Sequence, residues 1–246
     1  SNGTYDFIGG GYGNKTYSTQ AFVGGGDRNK IYKSANSSAI VGGQFNKVQC
    51  NFSFIGGGST NTLSGCRSTI VGGGGNSITG RNSFIGGGQS NKMNDRVNGS
   101  TIVGGTGNCI SANSSTSFIG GGNANTLSGA TYSNLVGGSY NNIQGAGSVI
   151  GGGISNNITD KMCAPTVYMA GNNTSSVIVG GTLNFINGKR SFIGGGFYNV
   201  AAMDAVVVGG TRNCACNSST VVVGGSGNKA LSAFSSILGG EDNCTI

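Results

Sequence analysis

The stretch Ser83-Phe84-Ile85-Gly86-Gly87-Gly88-Gln89-Ser90-Asn91-Lys92-Met93 is one copy of a unit that recurs along the whole chain. Its order is a small polar residue, two apolar residues, two or three glycines, two variable residues, Asn, a polar residue and an apolar one. Ser53–Leu63 and Ser191–Ala201 follow the same order. Counted from the first apolar residue, copies begin at Phe7, Phe22, Ile40, Phe54, Ile70, Phe84, Ile102, Phe118, Leu135 and Val149, then at Ile178, Phe192, Val207, Val222 and Ile237. Steps run from 14 to 18 residues outside one irregular stretch, and a degenerate copy at Tyr168–Asn172 brings the number to about sixteen. Self-similarity at a short, nearly fixed period predicts a solenoid. No stretch escapes the repeat for long, so residues 1–246 read as one domain with an irregular insertion at 159–176.

A period near fifteen residues is too short for helix-pair repeats, which take more than about 30. The apolar pairs are mostly β-branched or aromatic, and glycine runs break helices. Such a coil holds two short strands and two tight turns, stacked on its neighbours in parallel about 4.8 Å apart. The expected fold is all-β: a parallel β-solenoid, or β-roll, of about sixteen short coils.

Alternation along a strand assigns the faces. In each pair, Phe7-Ile8, Phe54-Ile55, Phe84-Ile85, Phe118-Ile119 and Phe192-Ile193, and at Phe22, one member fills the coil and the other points away from it. The interior also takes the apolar residue two after each Asn, from Ile31, Val48 and Leu63 to Ile186. The outward member has no place inside a single chain. As a stripe it exposes several hundred Å² of apolar surface, more than soluble monomers usually carry. A homo-oligomer is therefore expected, packed through this stripe. Repeats reaching within a few residues of both ends add an expectation of end-to-end filaments, since solenoids normally carry polar caps.

The glycines supply positive φ or let backbones approach closely; no helix follows them, so they do not make a phosphate loop. Asn recurs at Asn14, Asn29, Asn46, Asn61, Asn76, Asn91, Asn108, Asn125, Asn141, Asn156, Asn184, Asn199, Asn213, Asn228 and Asn243. It tolerates a left-handed turn, caps backbone groups, and in register can form an amide ladder along the stack. Longer copies carry mostly polar insertions at Lys33–Ser38, Asn94–Ser100 and Ser111–Thr116, either binding loops or tolerated turns. Near the C-terminal end Ala201, Ala215 and Ala230 replace larger aliphatics, which calls for thinner or differently packed coils.

There are 51 Gly without a three-residue period, which excludes collagen. The net charge of +7 comes from scattered Lys and Arg, so a solvated face is expected rather than a nucleic-acid site. No apolar run reaches the ~18 residues of a membrane helix. Repeated Asn-X-Ser/Thr sequons are compatible with an extracellular location. Seven cysteines leave at least one thiol free or paired between chains. Cys50 and Cys66, about one coil apart, lie within reach of a disulfide, while Cys214 and Cys216 face the same way and do not easily bond each other. With no His and no C-x-x-C pair, no zinc site or other cofactor is expected. Asp27 is nearly alone in a glycine turn, so a calcium roll is not expected either. An enzyme is disfavoured without His and with few acids, although Asp95 and Asp160 in the insertions could serve a polysaccharide hydrolase.

The segment Asn76-Ser77-Ile78-Thr79-Gly80-Arg81-Asn82-Ser83-Phe84-Ile85-Gly86-Gly87 resembles the head repeats of trimeric autotransporter adhesins of the YadA-like kind, and the resemblance covers nearly the whole chain. It implies a left-handed β-roll, a trimer, and a cell-surface role in attachment to a host glycan or protein. The triple glycine, the bulky Phe and the uneven coils depart from that pattern. Viral or phage fibre shafts with similar glycine-rich repeats, binding or cleaving host-surface polysaccharide, are the alternative.

Overall fold

The structure, a computed structural model, describes residues 3–159 and 175–246. Thirty short strands, β1 (Phe7–Ile8) to β30 (Cys244–Thr245), alternate along the chain between two kinds, and no helix occurs among the described residues. Within residues 1–123, and again within 124–246, each strand pairs in parallel with the equivalent strand one coil on. The fold is an all-β parallel solenoid of about fifteen turns. The chain forms two compact units, residues 1–123 and 124–246.

In each unit the coil is built in the same way. The first strand, such as Phe84–Ile85, turns its second residue inward, and the second strand, such as Lys92–Met93, does likewise. Ile40, Ile55, Ile70, Ile85, Ile102 and Ile119 thus face Ile31, Val48, Leu63, Ile78, Met93 and Ile110, all fully buried. Each such side chain contributes about 1.5–3 kcal/mol by leaving water. A third contact line runs through isolated parallel bridges such as Ser59↔Gly74 and Thr182↔Phe197.

The register corrects the repeat count in two ways. Ile40 pairs with Val23 and Ile55, so it aligns with the second residue of each Phe-Ile pair and not with Phe. Counting from the first apolar residue therefore mixed inward and outward positions. Measured on the inward residue, steps outside the insertion shrink to 14–17. Further, Val149–Ile150 pairs directly with Val177–Ile178, and Asn157–Thr159 with Phe185–Ile186. No coil lies between them, so fifteen turns replace sixteen. Tyr168–Asn172 lacks the glycine pair followed three residues later by Asn that each coil uses, and it lies, with Asp160, Cys163 and Pro165, outside the described residues.

The longer turns are not merely surface excursions. Each extra pair of residues brings one side chain into the coil corner, and Ala35, Val97 and Ser114 are fully buried there. The alanine coils keep register, Ile186↔Ala201↔Ala215↔Ala230. Facing strands from Phe192–Ile193 to Cys244–Thr245 come within 8 Å between Cα atoms, the thinner packing that small side chains demand.

Candidate functional site

The buried Asn is what locks one coil to the next. Asn91 Nδ2 donates to the carbonyls of Gly87 in its own turn and Gly105 in the next, both at 2.9 Å. Its Oδ1 accepts the backbone N–H of Asn108, and its own N–H donates to Asn76 Oδ1, both at 3.0 Å. The same side-chain-to-backbone ladder passes through Asn14, Asn29, Asn46 and Asn61, and in the second unit through Asn125, Asn141, Asn156, Asn184, Asn199, Asn213, Asn228 and Asn243. The sequence reading placed Asn itself in the left-handed turn. In the structure that conformation belongs to the residue before it, from Gly13 and Arg28 to Asp242, with φ of 52–69°. A second ladder went unrecognised: in most coils a small polar residue before the apolar pair is buried and accepts the next coil's N–H, as Ser68 Oγ does from Ser83. The recurring Ser was its signal.

The outer face of the first-strand sheet carries the apolar stripe. Phe7, Phe22, Phe54, Phe84 and Phe192 are 36–55% exposed, while Ile55, Ile85, Ile119 and Ile193 are fully buried and Ile8 half-buried. Phe118 is half-buried. Outward residues that the sequence reading did not single out complete the stripe. Most coils lacking Phe place Val two residues later, and Val41, Val71, Val103, Val136, Val179 and Val208 are all about half exposed. The two choices exclude each other: every first-strand Phe is followed two residues on by Gly. A Cβ added at Gly9, Gly24, Gly56, Gly86 or Gly194 would meet that Phe's own ring at 3.2–3.4 Å. The ring lies back over the bare glycine, so the Phe is partly covered by its own strand.

Beside this stripe runs a row of glycines at the middle position of the turn, Gly25, Gly42, Gly57, Gly72, Gly87 and Gly104 in the first unit. Their backbone is not in the left-handed region, and a Cβ added at any of them meets nothing within 4 Å. In the second unit Gly137, Gly180, Gly209, Gly224 and Gly239 behave identically. The left-handed position before Asn, where glycine would relieve strain of about 1 kcal/mol, instead holds Arg28, Phe45, Leu183 and Tyr198 among others. At these eleven turns the chain's own packing explains the third glycine but not the middle one, whereas at Gly10, Gly121, Gly152 and Gly195 a φ of 153–158° itself favours glycine.

The Cys50–Cys66 disulfide forms between neighbouring coils, with Cα atoms 4.7 Å apart. A Cys50→Ser, Cys66→Ser variant is expected to lose about 2–4 kcal/mol of unfolding free energy, read by urea denaturation with and without reductant. The expectation that Cys214 and Cys216 would not bond each other is corrected. They are also disulfide-linked, because the chain leaves the strand after Ala215 and brings their Cα atoms to 5.0 Å. Cys109 and Cys244 are free. Burial pushes the Cys109 thiol above its ordinary value, with Lys92 in the neighbouring coil pulling the other way.

Asp95 lies in an exposed turn, and the partner offered for it, Asp160, is outside the described residues. Among the described residues no three His, Cys, Asp or Glu side chains gather as a metal site. Arg190 and Asp204 form a bidentate surface pair at 2.6 and 2.7 Å, which holds the Asp204 carboxyl below its usual range. No family model matches the chain, and no curated protein matches it.

Proposed function

We propose that this chain is a non-enzymatic, extracellular structural or adhesive protein that self-associates, as a trimer, through the outer face of its first-strand sheet. The observation that carries this is the apolar stripe of Phe and Val beside a row of glycines whose Cβ space is empty. In the first unit alone the stripe leaves several hundred Å² of apolar surface in water, at the upper end of what monomers expose. Glycine beside a strand, where the chain's own packing does not require it, marks close approach of another backbone. A second copy of the same chain offers the flat, repeating surface that fits such a row, one coil against one coil. The regular ladders beneath make the coil a rigid platform, as a surface for attachment requires.

The test is the mass in solution. Sedimentation equilibrium of the wild-type chain is expected to give three times the monomer mass. Phe54→Glu, Val71→Glu, Phe84→Glu in combination is expected to reduce it to that of a monomer without changing the β-sheet circular dichroism, because all three side chains point outward. A wild-type chain that stays monomeric at 100-fold increasing concentration overturns the proposal.

A further inference from the structure

Coil register also brings together charges that the sequence spreads apart. The second strands of the first three coils read Lys15-Thr16-Tyr17, Lys30-Ile31-Tyr32 and Lys47-Val48-Gln49. Thr16, Ile31 and Val48 point inward and are buried, so Lys and Tyr share the outer face. Lys15 pairs with Lys30, and Lys30 with Lys47, directly across the parallel ladder. The next partner, Thr62, ends the column. Like charges placed opposite one another destabilise a sheet, and among the described residues no carboxylate forms an ion pair with any of the three. The Lys30 ammonium lies 4.1 Å from the Tyr32 ring centroid and 5.5 Å from that of Tyr17, and Lys33 is exposed just beyond. Nine of the fourteen basic residues but only three of the seven acidic ones precede residue 97, so the field here is strongly positive.

We infer that the Lys15–Lys30–Lys47 column is a binding site for an acidic polysaccharide, one bearing carboxylates or sulfates along its length. A column with one ammonium per coil, spaced at the strand separation of about 4.8 Å, matches a linear polymer with regularly placed anions. Each bound anion relieves the repulsion that the bare column carries. The Tyr17 and Tyr32 rings, each within 6 Å of the Lys30 ammonium, hold it at the middle of the column. Single-stranded nucleic acid binds through open aromatic platforms on which bases stack, and here the Lys30 ammonium lies over the Tyr32 ring. This inference extends the attachment role proposed above by naming its ligand class, and it holds whatever the number of chains.

The experiment is titration calorimetry of the full chain with a heparin dodecasaccharide and with polygalacturonate, across a salt series. The comparison ligands are neutral dextran, a twelve-residue oligo-dT and phosphatidylserine vesicles. Wild type is expected to bind both acidic glycans and not dextran. K15Q/K30Q/K47Q is expected to bind at least tenfold more weakly, with a slope of log K against log salt shallower by about 2. K15R/K30R/K47R is expected to retain binding, as is K92Q/K229Q, whose lysines have no lysine opposite them in the neighbouring coils. Undiminished glycan binding by the Gln variant overturns the site. So does tighter lysine-dependent binding of oligo-dT or of vesicles than of either glycan, or no glycan binding by wild type. Sedimentation of the same samples reads self-association separately: a monomer that binds through these lysines ends the oligomer proposal and leaves this one standing.

Discussion

Alanine at Gly88 is expected to cost about 4 kcal/mol or more of unfolding free energy, whereas alanine one residue earlier, at Gly87, is expected to leave stability unchanged or slightly raised. The two glycines look alike in sequence and differ only in surroundings. Gly88 has φ of 84°, which a Cβ disfavours by about 1 kcal/mol. The larger effect is steric. An added Cβ would overlap the Gly105 carbonyl oxygen of the next coil and lie 2.8 Å from Asn91 Nδ2. Since the obstacle is backbone, the coils must separate, and the Gln89 N–H to Gly105 carbonyl bond at 2.9 Å goes with them. At Gly87 nothing lies within 4 Å and the backbone is not left-handed, so alanine chiefly reduces the freedom of the unfolded chain, worth about 0.4–1 kcal/mol in favour of folding. Urea denaturation of the two variants measures the difference. Equal destabilisation by both would remove the distinction between the turn glycine the fold needs and the one it does not. Valine at Gly57, Gly72 and Gly87 together is then expected to leave the fold intact and to lower the sedimenting mass, because the methyl groups stand where the proposed neighbour's backbone approaches.

Removal of the Asn91 amide is the second large effect. Asn91→Ala is expected to destabilise the chain by about 3–5 kcal/mol. It leaves the buried Asn108 N–H and the half-buried Gly87 carbonyl without their partner, and takes one of two donors from the Gly105 carbonyl. Each orphaned buried group costs about 1–3 kcal/mol. Asn91→Asp tests the donor side alone, since its carboxyl can still accept from Asn108 but sets oxygen against two carbonyls. Burial and those carbonyls favour the neutral acid, so the folded-state pKa rises above the unfolded one. This variant's stability is then greatest in acid and is lost as pH rises through the raised pKa. Chemical denaturation at pH 4 and pH 7 reads the sign. A flat profile, or an Asn91→Ala loss below about 1 kcal/mol, would mean that the ladder is incidental to stability.

How far the sequence carried depends on which interactions repeat. The solenoid was legible because Asn, Gly and an apolar pair recur at a nearly constant period, and each copy alone cannot bury its apolar face. The Cys50–Cys66 bridge was legible because both residues sit at like places one coil apart. The left-handed residue was misplaced by one position, since Arg28, Phe45 and Leu183 are not residues that announce positive φ. The Cys214–Cys216 bond was missed because a strand two residues long ends between them.

What the sequence by itself determined is the repeating unit: two inward aliphatics, a buried Asn, and a glycine turn between them. What the tertiary structure decided is which copies stand side by side, because a one-residue slip in register exchanges inside for outside. Ile40 and Phe22 occupy equivalent places in the first-apolar-residue count, yet one is fully buried and the other 40% exposed. Lys15, Lys30 and Lys47 are fifteen and seventeen residues apart in the chain and directly opposed in the sheet. Parallel pairing between coils turns a periodic spacing into contact, and it is that contact, absent from any one repeat, which gives each face its chemistry.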